Sequence, residues 1–270
     1  MIAASPALWH DAELAAQLAG DAGRILMEVR ASGRHHGEAL GRAGDAEANA
    51  VLVRALRELR PEDGLLSEEE RDSTARLAKS RVWIIDPLDG SREYAEGRGD
   101  WAVHVALAVD GAASVGAVAL PALGLVLRSD RSLPRPPARE RPRLVISRTR
   151  PPGQAQAVAE VLGAELVAMG SAGAKAMAVV RGEADIYLHS GGQHQWDNCA
   201  PVAVAQAHGL HCSRLDGSPL VYNGRRTAMP DLLICHPEWA RATIEALHGG
   251  EPEARQKPGR MSGRIRDRRV

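Results

Sequence analysis

The chain has 270 residues, of which 44% are hydrophobic, and its 34 basic side chains balance its 34 acidic ones, so the formal net charge is zero. A neutral chain has no general attraction for nucleic acid polymers or anionic membranes, so an anionic ligand would need a local cationic site. No apolar run approaches the roughly 18 residues of a membrane span, and residues 1–8 lack the features of a signal peptide, so a cytoplasmic location is expected.

The first half of the chain reads as an α+β unit. Helices are predicted over residues 11–30 and 45–60, where apolar side chains recur at helical spacing. Short strands follow near residue 65 and over residues 82–86, 103–109, 113–120 and 124–128. Residues 131–142 then bring four prolines and four arginines without periodicity. A surface connection between two lobes is expected there.

The second half alternates between strand and helix. Strands are predicted over residues 144–147, 165–169 and 184–188, and helices over residues 154–162, 174–180 and 197–207. Such alternation indicates an α/β lobe. The whole chain is therefore predicted to be a layered α+β and α/β sandwich, with lobes at residues 1–130 and 143–248. Residues 249–270 offer little to bury and are expected to be a disordered basic tail.

The most informative stretch is Val-Trp-Ile-Ile-Asp-Pro-Leu-Asp-Gly-Ser over residues 82–91. An apolar strand runs into Asp86 and Asp89, and proline is expected to end the strand after Asp86. The bend through Leu88 can turn both carboxylates and the Leu88 carbonyl toward one cation. Standing alone, however, the same residues could form an ordinary turn.

The two residues that follow Asp89 suit an anion. Gly90 removes the side chain where a phosphate must approach the backbone, and Ser91 is expected to begin a helix whose free N–H groups favour negative charge. The stretch therefore offers a cation site and an anion site side by side.

Two further acidic segments support a metal site. Glu68 follows a short apolar stretch, and Asp197 stands at the start of an apolar helix pattern. Hard cations such as Mg²⁺ require oxygen ligands in near-octahedral geometry. The predicted ligands are Glu68, Asp86, the Leu88 carbonyl, Asp89 and Asp197. The ten histidines fit no closed metal site by their spacing, so surface or core roles are expected for them.

These motifs together resemble the inositol monophosphatase superfamily of Mg²⁺-dependent, lithium-sensitive phosphatases. The matching segments are residues 44–49, 67–69, 83–91 and 196–201. The closer likeness is to the CysQ branch, the 3'(2'),5'-bisphosphate nucleotidases, through residues 170–175, 195–201 and 215–223. The resemblance covers about residues 10–235. It implies a two-lobed fold with two or three Mg²⁺ ions between the lobes, and removal of the 3'-phosphate from adenosine 3',5'-bisphosphate, or its sulfated form, in sulfur assimilation.

The resemblance also implies which residues activate water. A threonine after Asp-Gly and an aspartate from an earlier helix start play this part in the superfamily, and these roles fall on Ser91 and Asp45, with Glu68 beside them. Serine keeps the hydroxyl but, without the threonine methyl, is held less firmly in one rotamer. Asp45 could instead be the N-cap of the second predicted helix, and one carboxylate can fill both roles.

Substrate contacts follow from the same resemblance. Ser147 and Arg150 match residues of the nucleotide pocket, whereas Ser171 and Lys175 belong to a glycine segment that lies along the substrate. Lys175 is the expected counter-ion for a second phosphate, although the segment could be a strand-to-helix turn with a solvated lysine. The full predicted set of substrate contacts is Leu88, Asp89, Gly90, Ser91, Ser147, Arg150, Ser171, Lys175 and Asp197.

Two alternative functions stay open at this point. One is an inositol or fructose 1,6-bisphosphate phosphatase of the same superfamily, which would use the same metals. The other is a nucleotide-binding regulator without catalysis, which would be expected to have a broken ligand set. The expected partner is a small phosphorylated metabolite rather than a nucleic acid polymer or a membrane, and a homodimer is left open.

Overall fold

The computed structural model describes residues 6–249. The first half contains three helices and five strands, together with short 3₁₀ turns at Thr74–Ala78 and Pro121–Leu123. In chain order the elements are α1 (Pro6–Ala31), α2 (Glu38–Leu59), β1 (Gly64–Ser67), β2 (Arg81–Asp89), α3 (Ser91–Ala95), β3 (Ala102–Val109), β4 (Ala112–Leu120) and β5 (Leu125–Arg128).

The described part of the second half, up to residue 249, contains four helices and five strands. In chain order the elements are β6 (Arg143–Ser147), α4 (Ala155–Leu162), β7 (Glu165–Met169), α5 (Ala172–Val180), β8 (Ile186–His194), α6 (Gln195–Ala207), β9 (His211–Ser213), β10 (Ala228–Cys235) and α7 (Pro237–Leu247).

Two five-stranded sheets organise the molecule. The first has the order β1-β2-β3-β4-β5, with β1 parallel to β2 and the other pairs antiparallel. The second has the order β7-β6-β8-β10-β9, with β6 parallel to both neighbours and β10 antiparallel to both of its own. Both sheets are therefore mixed.

Three apolar clusters show how the layers stack. Helices α1 and α2 bury one face of the first sheet, where Trp83, Val105 and Leu107 point. Helices α5 and α6 fill the space between the two sheets. Helices α4 and α7 cover the outer face of the second sheet. The result is a layered α/β sandwich, and the predicted fold class is confirmed.

Helix α6 approaches the first sheet very closely. A Cβ placed on Gly116 of β4 would lie 2.6 Å from the Ala200 carbonyl oxygen and 2.8 Å from the Ala203 Cβ. Only glycine fits there without movement of the helix. Because α5 and α6 belong to the second half of the chain but pack on the first sheet, the division into separate lobes stays a prediction.

Several predicted boundaries are wrong, including two that bear on the predicted site residues. Helix α2 begins at Glu38 rather than at residue 45. The glycines in its first turns have low helix propensity, but packing outweighs this cost. At Gly44 the helix lies so close to α1 that a Cβ would be 2.9 Å from Leu26. Strand β2 does not end at Asp86 but continues through Pro87 to Asp89. Two residues of β2 there lie opposite one residue of β3, which is a β-bulge, and bulges tolerate proline.

Several elements were not predicted at all. These are strands β9 and β10 and helix α7, which follow the last predicted helix. Strand β8 was predicted, but it extends to His194 rather than to residue 188. The predicted disordered tail lies outside the described residues except for residue 249. Within residues 6–249, no helix is both long and apolar enough to cross a membrane.

Candidate active site

A cavity of about 600 Å³ opens beside the end of β2, the start of α5 and the start of α6. It is lined by all of the predicted site residues except Asp45, namely Glu68, Asp86, Leu88, Asp89, Gly90, Ser91, Ser147, Arg150, Ser171, Lys175 and Asp197. Residues from both halves of the chain thus meet in one cleft, as the metal and substrate predictions require.

Three aspartates form the acidic centre of this cleft. Each of Asp86, Asp89 and Asp197 offers a carboxylate oxygen, and these oxygens lie within 4.8 Å of one another. The bulge in β2 brings the first two together, and Asp197 comes from the first turn of α6. Like charges this close repel each other unless a cation or protons neutralise them.

Asp86 is the most buried member of the cluster. Its Oδ1 accepts a hydrogen bond from the Leu88 backbone N–H at 3.1 Å, whereas its Oδ2 is buried without any hydrogen-bond partner among residues 6–249. Burial, and then the negative charges of Glu68 and Asp89, raise the pKa of Asp86 well above its ordinary value. An unpartnered buried carboxylate oxygen is costly, and a bound cation would satisfy it.

Asp89 is held differently, because two hydrogen-bond donors and one imidazole nitrogen converge on its Oδ2. They are the Ser171 hydroxyl, the Gly173 backbone N–H at 2.6 Å and the His104 Nε2 at 3.3 Å, a contact too poorly aligned to be a well-formed hydrogen bond. Burial alone would raise the pKa of Asp89, but His104 and the other neighbours lower it overall. Asp89 is therefore an anion held by one oxygen, with the other free.

Glu68 and Asp197 complete the acidic set. Glu68 is exposed as a residue, but its carboxyl end reaches the cluster, where burial and then the charge of Asp197 raise its pKa to about 8. Burial and then the charge of Asp89 raise the pKa of Asp197 to about 6, although the His194 N–H donates to Asp197 Oδ2 at 2.5 Å. Both shifts reflect the crowding of these carboxylates.

The donor set fits a hard divalent cation. All of the converging side chains offer carboxylate oxygen, one buried oxygen lacks a partner, and the Leu88 carbonyl lines the same cavity. Mg²⁺ and Mn²⁺ favour such oxygen ligands, whereas soft metals favour sulfur and nitrogen. The assignment of Glu68, Asp86, Leu88, Asp89 and Asp197 as ligands stays a prediction that this geometry supports.

Asp45 lies beside the cleft rather than in its lining. The residue is buried in the second turn of α2, and Gly37 occupies the N-cap position, so the N-cap interpretation of Asp45 is wrong. Its Oδ1 has no hydrogen-bond partner in the described part of the chain. Burial and then the charge of Glu69 raise the pKa of Asp45 to about 7, while the nearby Ser91 hydroxyl opposes the shift. In this structure Ser91 Oγ donates to the Leu88 carbonyl at 3.2 Å.

Gly90 has a conformational reason to be glycine. Its φ of +92° lies in the left-handed region, and a Cβ there would lie 3.1 Å from Ser171 Cβ. The helix that begins at Ser91 is only five residues long.

The glycine segment forms a strand-to-helix turn, but its lysine is not solvated as that alternative supposed. Lys175 is only 3% exposed, and its ammonium donates to the Ser171 carbonyl and to the Gly170 carbonyl at 3.2 Å. Burial lowers the pKa of Lys175 to about 8. The ammonium thus braces the turn that supplies Ser171 and Gly173 to Asp89.

The predicted nucleotide end lies after β6. Ser147 Oγ accepts a hydrogen bond from the Arg150 N–H at 3.1 Å, which closes a local turn. The Arg150 side chain is exposed at the edge of the cleft and approaches Gly192. Unlike Lys175, its guanidinium is free of hydrogen bonds and ion pairs to the described residues.

Several lining residues were missed by the sequence analysis. Surface or core roles were expected for the histidines, yet His189 lines the cleft and His104 contacts Asp89. The other missed lining residues include Arg92, Glu93, Thr149, Tyr187 and Gln193. The one available signal was His104, a lone polar residue facing inward in the otherwise apolar strand Ala-Val-His-Val-Ala.

Comparisons with known proteins agree on one family. The model of the inositol monophosphatase family matches residues 10–134 and 140–250. A 3'-phosphoadenosine 5'-phosphate phosphatase from Mycobacterium tuberculosis is 49% identical over 238 residues, which cover 84% of this chain and 89% of that protein. The 3'(2'),5'-bisphosphate nucleotidase CysQ from Escherichia coli K12 is 29% identical over 235 residues, covering 78% and 93% of the two chains. Among solved structures, CysQ from Bacteroides thetaiotaomicron has the same fold, with a TM-score of 0.72 at 22% identity over 84% of this chain and 97% of that one.

Crowding in the cluster predicts that Asp86→Asn stabilises the metal-free protein. A raised pKa means that the folded protein binds this proton more tightly than the unfolded chain does, so stability is lost as pH rises from about 4 toward the folded pKa. Each extra proton bound changes the slope by ~1.4 kcal/mol per pH unit. Urea unfolding in chelator should show the variant more stable than the natural protein near pH 8, with the gain shrinking toward pH 5.

Asp185→Asn is the matched control. Asp185 is equally buried, but it accepts hydrogen bonds from the Arg139 side chain at 3.0 Å and from the Arg143 N–H at 2.9 Å. This substitution should destabilise the protein at both pH values. A destabilised Asp86→Asn protein near pH 8 in chelator would contradict the repulsion argument.

Proposed function

The chain belongs to the inositol monophosphatase family, and from that membership we propose that it is a Mg²⁺-dependent phosphatase that removes the 3'-phosphate of adenosine 3',5'-bisphosphate. The family resemblance seen in the acidic motifs is thereby confirmed, and the family is metal-dependent. The observation that carries the proposal is the convergence of Asp86, Asp89 and Asp197 in a cleft that also holds an unpaired arginine, Arg150. The relatives of known activity supply the substrate.

The cation site and the Ser91–Asp45 pair have different roles in the proposed reaction. A divalent cation at the aspartates supplies Lewis-acid stabilisation of the phosphoryl oxygens and makes water a stronger acid. Asp45, with a pKa near 7 and an unpartnered Oδ1, can accept a proton from the Ser91 hydroxyl. Ser91 can in turn orient an attacking water, so no phosphorylated enzyme is needed. Glu68, at a pKa of about 8, is a second group at the cleft that can take up a proton.

We place the nucleotide toward Ser147 and Arg150. Arginine suits phosphate because its planar guanidinium can donate two parallel hydrogen bonds. The 5'-phosphate would meet Arg150 at the edge of the cleft while the 3'-phosphate lies at the aspartates. A regulator without catalysis is disfavoured, because the acidic residues of the cluster are all present and close together. A place in sulfur assimilation, cytoplasmic location and lithium inhibition stay predictions.

A phosphate-release panel tests the proposed activity. With Mg²⁺, adenosine 3',5'-bisphosphate should be hydrolysed with a kcat/KM at least about tenfold above those of inositol 1-phosphate and fructose 1,6-bisphosphate, because only its second phosphate would reach Arg150. Chelator should abolish turnover and Mg²⁺ should restore it, and folded Asp89→Asn protein should lose turnover by orders of magnitude. A preference for inositol 1-phosphate would instead favour the alternative function, an inositol phosphatase of the same family.

The Ser91 hydroxyl is expected to assist proton transfer. Ser91→Ala should lower kcat by about 10²-fold to 10⁴-fold with little change in KM, the usual range for lost acid–base assistance. Ser91→Thr keeps the hydroxyl and should be tolerated. Steady-state kinetics of the three proteins decide the matter, and full turnover of Ser91→Ala would leave water activation to Glu68 and the cation.

Arg150 is expected to bind the second phosphate of the substrate, the 5'-phosphate. Arg150→Ala should raise KM for adenosine 3',5'-bisphosphate by about tenfold, the scale of one charge-assisted hydrogen bond of ~1.5 kcal/mol. Hydrolysis of adenosine 3'-monophosphate, which lacks the 5'-phosphate, should barely change. Equal losses on both substrates would remove Arg150 from phosphate recognition.

Lys175 allows a sharper comparison on the same two substrates. Lys175→Ala should weaken hydrolysis of both, because the ammonium braces the turn that holds Asp89. If Lys175 is also a counter-ion of the second phosphate, the loss on adenosine 3',5'-bisphosphate should be larger. If activity falls equally on both substrates, Lys175 only supports the turn and does not bind the second phosphate.

A further inference from the structure

His104 occupies an unusual place for a histidine. It lies on β3, the central strand of the first sheet, directly opposite Asp86 in the ladder with β2, and it is fully buried. Ala102 and Ala106 flank it on the same face, toward α5 and α6. A single large polar side chain in a row of alanines needs partners, since a buried polar group without them is costly.

Its two ring nitrogens face oxygens from two different parts of the site. Nδ1 lies 3.0 Å from the Trp196 carbonyl oxygen in α6, one residue before Asp197. Nε2 lies 3.3 Å from Asp89 Oδ2. The imidazole thus spans the space between the bulged end of β2, which carries Asp89, and the helix that carries Asp197.

The surroundings are shaped around this ring. A Cβ placed on Gly173 would lie 2.1 Å from His104 Nε2 and 2.9 Å from Ala102 Cβ. Glycine at that position lets the Gly173 backbone N–H reach the same Asp89 oxygen at 2.6 Å. The close approach of helix α5 and the position of the imidazole therefore depend on each other.

We propose that His104 is a positioning residue that fixes Asp89 and the start of α6 relative to one another, so that their carboxylates are preorganised for a divalent cation. The proposal rests on the metal site of the proposed function. His104 contacts Oδ2 of Asp89, together with Ser171 and Gly173, and so leaves Oδ1 for the cation. Outer-shell groups that contact metal ligands typically change metal affinity by about 10-fold to 100-fold when removed.

Binding of Mn²⁺ alone, without substrate, tests this role. Free Mn²⁺ is measured by electron paramagnetic resonance during titration of the full chain. His104→Leu should raise the Kd for Mn²⁺ by about tenfold or more. His104→Gln should recover much of the affinity, because its amide can still reach Asp89, whereas His104→Asn keeps only a donor toward Trp196 and should stay weak.

His208→Leu is the matched control. His208 is also buried, at the far end of α6, where Nδ1 lies 2.7 Å from the Val204 carbonyl oxygen and Nε2 has no partner. Its loss should lower the melting temperature without changing the Kd for Mn²⁺. A merely structural role for His104 would give the same pattern.

Three results would overturn the role of His104 while leaving the metal site in place. They are an unchanged Kd in folded His104→Leu protein, an equal rise in Kd for His208→Leu, and equal Kd values for the Gln and Asn variants. The last comparison decides the matter if the leucine variant does not fold. A natural protein that binds no Mn²⁺ would overturn the metal site and this proposal together. One that binds Mn²⁺ but hydrolyses no phosphate ester would refute only the proposed activity.

Discussion

Mutual repulsion among buried carboxylates is the constraint on which the rest of the structure depends. Asp86, Asp89 and Asp197 would move apart if their backbones were free, because like charges at this distance are unfavourable in a partly buried cleft. Each is instead tied by backbone N–H donors: Leu88 for Asp86, Gly173 for Asp89 and His194 for Asp197. The fold thus holds these carboxylates in an electrostatically unfavourable arrangement, and a bound cation would lower its free energy.

The parts of the site that could be predicted from sequence are those encoded in local motifs. Asp86 and Asp89 lie in one bulge, and residues 170–175 form one turn, so spacing alone brought their side chains close. Nothing local joins residue 197 to residue 86, so the placement of Asp197 rested on the shared chemistry of separate acidic segments and on the family resemblance. The layered fold followed from the alternation of elements, although the proline in β2 concealed the bulge and two glycines concealed the start of α2.

The missed features all depend on contacts between distant segments. His104 looks like a core residue until Trp196 and Asp89 are brought to its two nitrogens. Lys175 looks like a solvated cation until the turn folds over it. Sequence patterns report which face a residue occupies, but they do not report which partner stands opposite, and partners decide whether a polar side chain binds substrate or supports the scaffold.

Glu68 shows why those distant contacts matter for the site as a whole. Its residue is exposed, so its own packing cannot hold it against the repulsion of Asp197. The segment that follows it is anchored instead by Arg76, a buried arginine that donates to Asn223 at 2.8 Å across the two halves of the chain. Asn223 in turn donates its N–H at 2.7 Å to Gln195, the first residue of the helix that carries Asp197. Hydrogen bonds through Arg76 and Asn223 therefore tie the segment after Glu68 to the start of the helix that carries Asp197.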